Sequence, residues 1–82
     1  KNGQLTTLVS NDFFSVYEWK INGPVSFEQE SFYTLVSVID GEGTLNADGN
    51  TYSISKGDHF VLPSQIQNWE LDGNLHIIAS HP

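Results

Sequence analysis

The sequence predicts an all-β domain, a small jelly roll built as a double-stranded β-sandwich barrel. Runs rich in Val, Ile, Thr, Phe and Tyr recur, separated by turn residues at the spacing of roughly 8 to 12 residues typical of such folds. No segment keeps apolar residues at helical spacing over several turns. A closed double sheet is expected, because closure leaves few strand edges exposed in a chain of 82 residues.

Residue alternation defines the individual strands. In the run SVYEWKI, Tyr17, Trp19 and Ile21 occupy every second position, which is typical of a strand with one solvated face. The run FYTLVSVI has apolar residues on both faces, which predicts a strand buried between two sheets. In chain order, the nine predicted strands are Leu5–Ser10, Phe13–Ile21, Val25–Gln29, Phe32–Asp40, Gly43–Ala47, Asn50–Ser55, His59–Leu62, Gln67–Leu71 and Asn74–Ser80.

Asp-Gly pairs mark three of the predicted turns. The pairs Asp40–Gly41, Asp48–Gly49 and Asp72–Gly73 tolerate the positive φ of tight hairpins, so at least two hairpins are predicted. The segments Asn22–Pro24 and Lys56–Asp58 are further turn signals. Without a linker or repeat, residues 1–82 are predicted to form a single domain.

Charge and composition exclude several classes of function. Ten acidic residues face three basic ones, a formal charge of −7, so neither a nucleic acid nor a membrane surface is an expected partner. Cysteine is absent, which excludes disulfides and thiolate metal sites and favours a cytoplasmic location. With three lysines and no arginine, the chain is poorly equipped to hold a sugar phosphate.

The segment from Asp40 to Pro63 resembles the cupin superfamily, in which hairpins lead into a Gly-Asp turn and a strand ending in Pro. The stretches that carry the resemblance are DGEGTL and DGNTYSISKGDHFVLP. In the second cupin motif, Gly57 and Pro63 keep their spacing, but Asn68 stands where the metal-binding His belongs. The resemblance therefore implies a scaffold that lacks this ligand.

The first cupin motif is altered in the same way. If Gly41 is its final glycine, Thr34 stands at the Glu position. The shorter spacer places Glu28 and Glu30 at the two His positions, and the longer one places no histidine there either. The resemblance thus implies no metal ligand and no catalytic residue in this chain, and leaves these side chains as pocket candidates.

A more extensive resemblance is to the carboxyl-terminal part of bacterial class I mannose-6-phosphate isomerases. It is carried by FSVYEWKING, FYTLVSVIDGEGTL, YSISKGDHFVLP and the terminal ASHP, from about Phe13 to Pro82. The resemblance implies a non-catalytic C-terminal domain, expressed as a fragment without an initiator Met. Zinc and the sugar phosphate are then expected in a preceding catalytic domain of the same chain, with no cofactor in this fragment.

Two alternative functions remain open from the residues. One is a free-standing small cupin that binds a sugar or other small molecule without catalysis, using Glu28, Thr34, Asn68 and Trp69, with Trp69 as an exposed aromatic contact. The other is a hard-cation site made of oxygens from Glu28, Glu30, Thr34 and Asn68. A domain taken from a larger enzyme is expected to expose a contiguous apolar patch, which a natural monomer seldom does.

Overall fold

The computed structural model describes residues 3–29 and 32–82, and all regular structure in these segments is β. The all-β prediction is confirmed. In the described segments no helix is long and apolar enough to cross a bilayer. The strands are β1 (Gly3–Ser10), β2 (Ser15–Asn22), β3 (Val25–Glu28), β4 (Tyr33–Ala47), β5 (Asn50–Ser55), β6 (His59–Pro63) and β7 (Asn68–His81).

Two long antiparallel strands, β4 and β7, form the spine of the fold. They pair from Leu35↔Ser80 to Ala47↔Trp69, and each changes its outer partner along its length. The N-terminal part of β4 pairs with β6 and its C-terminal part with β5, while β7 pairs first with β3 and then with β2. The sheet therefore has a five-strand half, β1-β2-β7-β4-β6, and a four-strand half, β3-β7-β4-β5.

Seven strands replace the nine predicted ones, because two of the predicted turns are bends inside β4 and β7. Gly43 lies opposite Gly73 where the two strands pass between the half-sheets. A Cβ added to Gly43 would lie 2.1 Å from the carbonyl oxygen of Asp72, so only glycine permits this approach. The expectation that the three Asp-Gly pairs close at least two hairpins was wrong, because Asp40–Gly41 lies inside β4 and Asp72–Gly73 inside β7.

The remaining Asp-Gly pair, the second in chain order, does close a tight hairpin. Asp48 and Gly49 connect β4 to β5 with φ of 51° and 78°, and Ala47 pairs with Asn50 across the turn. Two consecutive positive φ values are the type I′ geometry, whose twist matches that of the flanking strands. Here the local sequence signal was sufficient.

The core lies on the inner faces of the two half-sheets. Alternation sends every second side chain of each strand inward, and the central strands contribute the most deeply buried ones. The buried apolar residues are Trp19, Ile21, Val36, Val38, Leu45, Ala47, Ile54, Leu62, Trp69, Leu71, Leu75, Ile77 and Ala79. This single cluster holds the half-sheets together.

The run FYTLVSVI is buried on one face only. Val36 and Val38 enter the core, whereas Tyr33, Leu35 and Ile39 remain substantially exposed. The prediction of a strand covered on both faces was wrong for this chain, because nothing in the described residues packs on the outer side of the five-strand half.

Candidate functional site

The candidate site is a cleft of about 470 Å³ between β1 and β3, the outer strands of the two half-sheets. It occupies the gap that a fully closed barrel would lack. Its walls are Leu5, Thr6, Thr7, Tyr17, Trp19, Ser26, Phe27, Glu28, Thr34, Trp69 and His81. Two of the four predicted pocket residues, Glu28 and Thr34, therefore lie on it.

The Thr34 hydroxyl has a structural partner. Thr34 is only 3% exposed, and its Oγ1 donates a hydrogen bond of 2.6 Å to Oε1 of Gln29. The Gln29 amide in turn donates to the carbonyl oxygens of Leu62, at 2.8 Å, and Pro63, at 3.2 Å. This series of hydrogen bonds connects the end of β3 to β4 and β6. The oxygen at the cupin Glu position stabilises the fold through this network.

Glu28 and Asn68 form the last cross-strand pair of β3 and β7. Both side chains are exposed, because they alternate with the inward-facing Phe27 and Trp69. Asn68 lines a neighbouring cleft of about 600 Å³ next to the β4–β5 hairpin and not the cleft that contains Thr34. Glu28 therefore borders both clefts, whereas Thr34 lines only the first and Asn68 only the second. Glu30, the fourth candidate, lies outside the described residues.

Trp69 is a core residue, so the prediction of an exposed aromatic contact was wrong. It is 5% exposed and pairs with Phe27 across the strands. Its ring is stacked on Phe27 with centroids 6.0 Å apart, and Phe27 is stacked on Trp19 at 4.3 Å. The reason is strand alternation, which places Trp69 on the same inward face as Leu71. That signal was available in the sequence.

The aromatic row has one unsatisfied polar atom. Trp69 Nε1 is buried and has no hydrogen-bond partner among the described residues. Leaving a buried N–H unpaired costs about 1 to 3 kcal/mol. Because this nitrogen is inaccessible, Trp69 contributes stacked ring area to the core.

Each of the three histidines has a different local partner. His76 Nε2 lies 2.7 Å from Oε2 of Glu18, on the outer side of the five-strand half. His81 Nε2 lies 2.9 Å from the Tyr17 hydroxyl, at the edge of the cleft. His59 Nδ1 lies 2.9 Å from Ser37 Oγ. These contacts are typical of histidines that stabilise a sheet.

The residues of the cleft do not fit a zinc ion. A catalytic zinc site takes about three protein ligands from His, Cys and carboxylate and keeps one position open. The cleft offers one carboxylate, from Glu28, and one imidazole, from His81, which already contacts Tyr17. Within residues 3–29 and 32–82, no group of three or more His, Asp or Glu side chains could hold a metal ion.

The cleft also lacks the groups that hold a phosphate. Lys20 and Lys56, the lysines within the described segments, line neither this cleft nor its neighbour. Glu28 borders both clefts, so the nearest formal charge is negative. A dianionic ligand would be repelled here, since phosphate recognition needs cations or helix N-termini.

The family model and the sequence relatives point to the same protein family. The family model described as the cupin domain of mannose-6-phosphate isomerase matches residues 4–82. The mannose-6-phosphate isomerase of Streptococcus mutans is 47% identical over 78 residues, which are 95% of this chain and 25% of that protein. The chain therefore spans about a quarter of the length of the curated relatives it matches.

Solved structures agree with the family model. The crystal structure of mannose 6-phosphate isomerase from Bacillus subtilis superposes with a TM-score of 0.93 at 38% identity, over 100% of this chain and 26% of that one. Ectoine synthase from P. lautus superposes with a TM-score of 0.82 at 19% identity over 98% of this chain, which supports the jelly-roll fold alone. The chain belongs to the cupin-domain family of mannose-6-phosphate isomerases.

Proposed function

We propose that the chain acts as the non-catalytic C-terminal cupin domain of a zinc-dependent mannose-6-phosphate isomerase. The parent enzyme interconverts mannose 6-phosphate and fructose 6-phosphate, and a preceding domain of the same protein performs the reaction. The proposal is supported by the family match and by bacterial relatives that bear this enzyme name and are about four times as long.

The observation that carries the non-catalytic role is the composition of the cleft. Thr34 stands at a cupin ligand position and its hydroxyl is engaged with Gln29. The floor of the cleft is a stack of aromatic rings, and its formal charge comes from Glu28. A site of this kind has neither the ligands for zinc nor the cations for a sugar phosphate. The zinc of the parent is accordingly assigned to the preceding domain.

The contribution of this domain is packing and stability. A rigid jelly roll fixed to the catalytic part reduces the freedom of the adjoining chain and keeps its surfaces covered. The role requires an intact core and a surface that fits the rest of the enzyme. It requires no reacting group in the cleft.

The double variant Glu28→Gln/Thr34→Val of the full-length isomerase tests this role. Neither side chain takes part in the reaction under the proposal, so kcat/KM for mannose 6-phosphate is expected to stay within about twofold of the parent. Losing the Thr34 hydrogen bond is expected to lower stability by about 1 kcal/mol. Steady-state kinetics and elemental analysis for zinc are the measurements.

The variant Ser53→Ala, on the exposed face of β5, is the matched control for this experiment. A fall of kcat/KM of about a hundredfold in the double variant, with the control and the zinc content unchanged, would place chemistry in the cleft. A loss of zinc from the double variant would instead point to an oxygen-ligand metal site.

A further inference from the structure

The two outer faces of the barrel differ sharply in polarity. On the four-strand half, cross-strand neighbours are polar row after row, as expected of a surface in water. The rows are Ser26–Glu70–Asn46–Thr51, Asp72–Thr44–Ser53 and Asn74–Glu42–Ser55. This face is complete without a partner.

The five-strand half carries an apolar row across its outer side. Register joins one residue from each strand in the order Val9–Val16–Ser80–Leu35–Val61. Four of these five residues are aliphatic. Val9 is 44% exposed, Leu35 43% and Val61 53%, so large parts of these side chains are in contact with solvent.

Neighbouring rows widen this patch. Tyr33 lies two residues before Leu35 on the same side of β4, and Ile78 lies two residues before Ser80 on β7. We call the set Val9, Val16, Tyr33, Leu35, Val61 and Ile78 the apolar face. Five neighbouring strands at about 4.8 Å spacing make it about 19 Å wide.

Polar side chains border the apolar face on one side. The row that contains Ile78 also contains Glu18, Ser37 and His59, and the next row pairs Lys20 with His76. The Glu18–His76 pair, at 2.7 Å, is only partly buried and remains open to a neighbour. An apolar centre with a polar rim is the usual anatomy of a protein–protein interface.

We propose that the apolar face is the surface on which the rest of the isomerase polypeptide packs. The proposal rests on the proposed function, in which this chain is one domain of a larger enzyme. The relatives carry about three quarters of their length outside the matched region, so a large partner within the same chain is available to cover it. The polar outer face of the four-strand half then remains in solvent.

Covering the apolar face also accounts for the sequence of β4. From Tyr33 to Ile39 the strand is largely apolar on both sides, as strands covered on both faces are. Its inner side packs in the core. Its outer side, with Tyr33 and Leu35, forms part of the apolar face. In an unpartnered domain, such a row would be an aggregation hazard.

Thiol labelling in the full-length isomerase tests the proposal. The substitutions Val61→Cys and Leu35→Cys place a thiol on the apolar face, and Ser53→Cys places one on the polar outer face. Maleimide labelling of each introduced thiol is followed by peptide mass spectrometry. Val61→Cys and Leu35→Cys are expected to label at least about tenfold more slowly than Ser53→Cys, because labelling requires local opening of the packed interface. Isomerase activity of each variant confirms that the enzyme is intact.

Each outcome has a definite meaning. Equal labelling rates for Val61→Cys, Leu35→Cys and Ser53→Cys in an active enzyme would overturn the docking surface while leaving the proposed function standing. Protection that disappears on dilution would show that a second copy covers the face, which also overturns the proposal. Slow labelling that is independent of concentration, and fast after unfolding in guanidinium, supports it.

Discussion

The substitution Gly41→Ala is expected to lower the free energy of unfolding by about 3 to 5 kcal/mol, close to the largest effects single substitutions show. The added Cβ would lie 1.9 Å from the carbonyl oxygen of Asn74 and 2.9 Å from its carbonyl carbon. Both contacts are with backbone, so no side-chain rotation relieves them. Strands β4 and β7 must separate at the bend, and the ladder that joins the two half-sheets is broken there.

The glycine of the β4–β5 turn is the matched control. Gly41 has φ of 86° and Gly49 has φ of 78°, so alanine suffers similar backbone strain at both positions. Nothing lies within 4 Å of a Cβ added to Gly49. Gly49→Ala is therefore expected to cost only about 1 to 2 kcal/mol. Urea unfolding followed by circular dichroism measures both variants, and equal losses would contradict the close approach at the bend.

The loss predicted for Gly41→Ala is large compared with the stability available. A domain of 82 residues has about 4 to 12 kcal/mol of net stability. The alanine variant is thus expected to lose a large share of its stability, and at the low end of this range it would populate the unfolded state measurably without denaturant. A variant that retains its full unfolding midpoint would show that the backbones of β4 and β7 do not approach closely at Gly41.

Trp69→Ala is expected to have the second largest effect, a loss of about 3 to 5 kcal/mol. The ring is 5% exposed and lies against Phe27 in the aromatic row at the floor of the cleft. Truncation removes this contact area and leaves a cavity between the half-sheets. Urea unfolding again gives the free energy.

Trp69→Phe separates ring packing from the indole nitrogen. Phenylalanine keeps a ring beside Phe27 and removes the buried N–H that lacks a partner in the described residues. Its cost is expected to be about 1 kcal/mol, because the smaller ring volume is partly offset by removing the unpaired donor. If both variants stayed within about 0.5 kcal/mol of the parent, Trp69 would be a surface ring after all.

Strand alternation was sufficient to predict most of the architecture. Trp19 and Ile21 lie inward on β2, and the second Asp-Gly pair closes a two-residue hairpin at Asp48–Gly49. The bends at Gly41 and Gly73 were not predictable in this way, because a local Asp-Gly signal is the same for a hairpin and for a bend. What decides between them is the long-range pairing of Gly43 with Gly73.

The candidate site was predicted less well than the fold. Motif spacing identified Thr34 and Glu28, and both line the cleft. It could not show that the Thr34 hydroxyl contacts Gln29, since that contact depends on how the end of β3 meets β4. The burial of Trp69 could have been predicted from its alternation with Leu71, because the two side chains lie on the same face of the strand. Spacing along a chain orders side chains on a strand, whereas hydrogen-bond partners come from packing.

The proposed function requires that these 82 residues carry no isomerase chemistry of their own. The decisive measurement is turnover of mannose 6-phosphate to fructose 6-phosphate by the isolated chain supplied with zinc, after circular dichroism has verified its β structure. The full-length isomerase under the same conditions is the positive control. We expect no turnover above the zinc-only background. Zinc-dependent turnover by the folded chain would contradict the non-catalytic role of this domain.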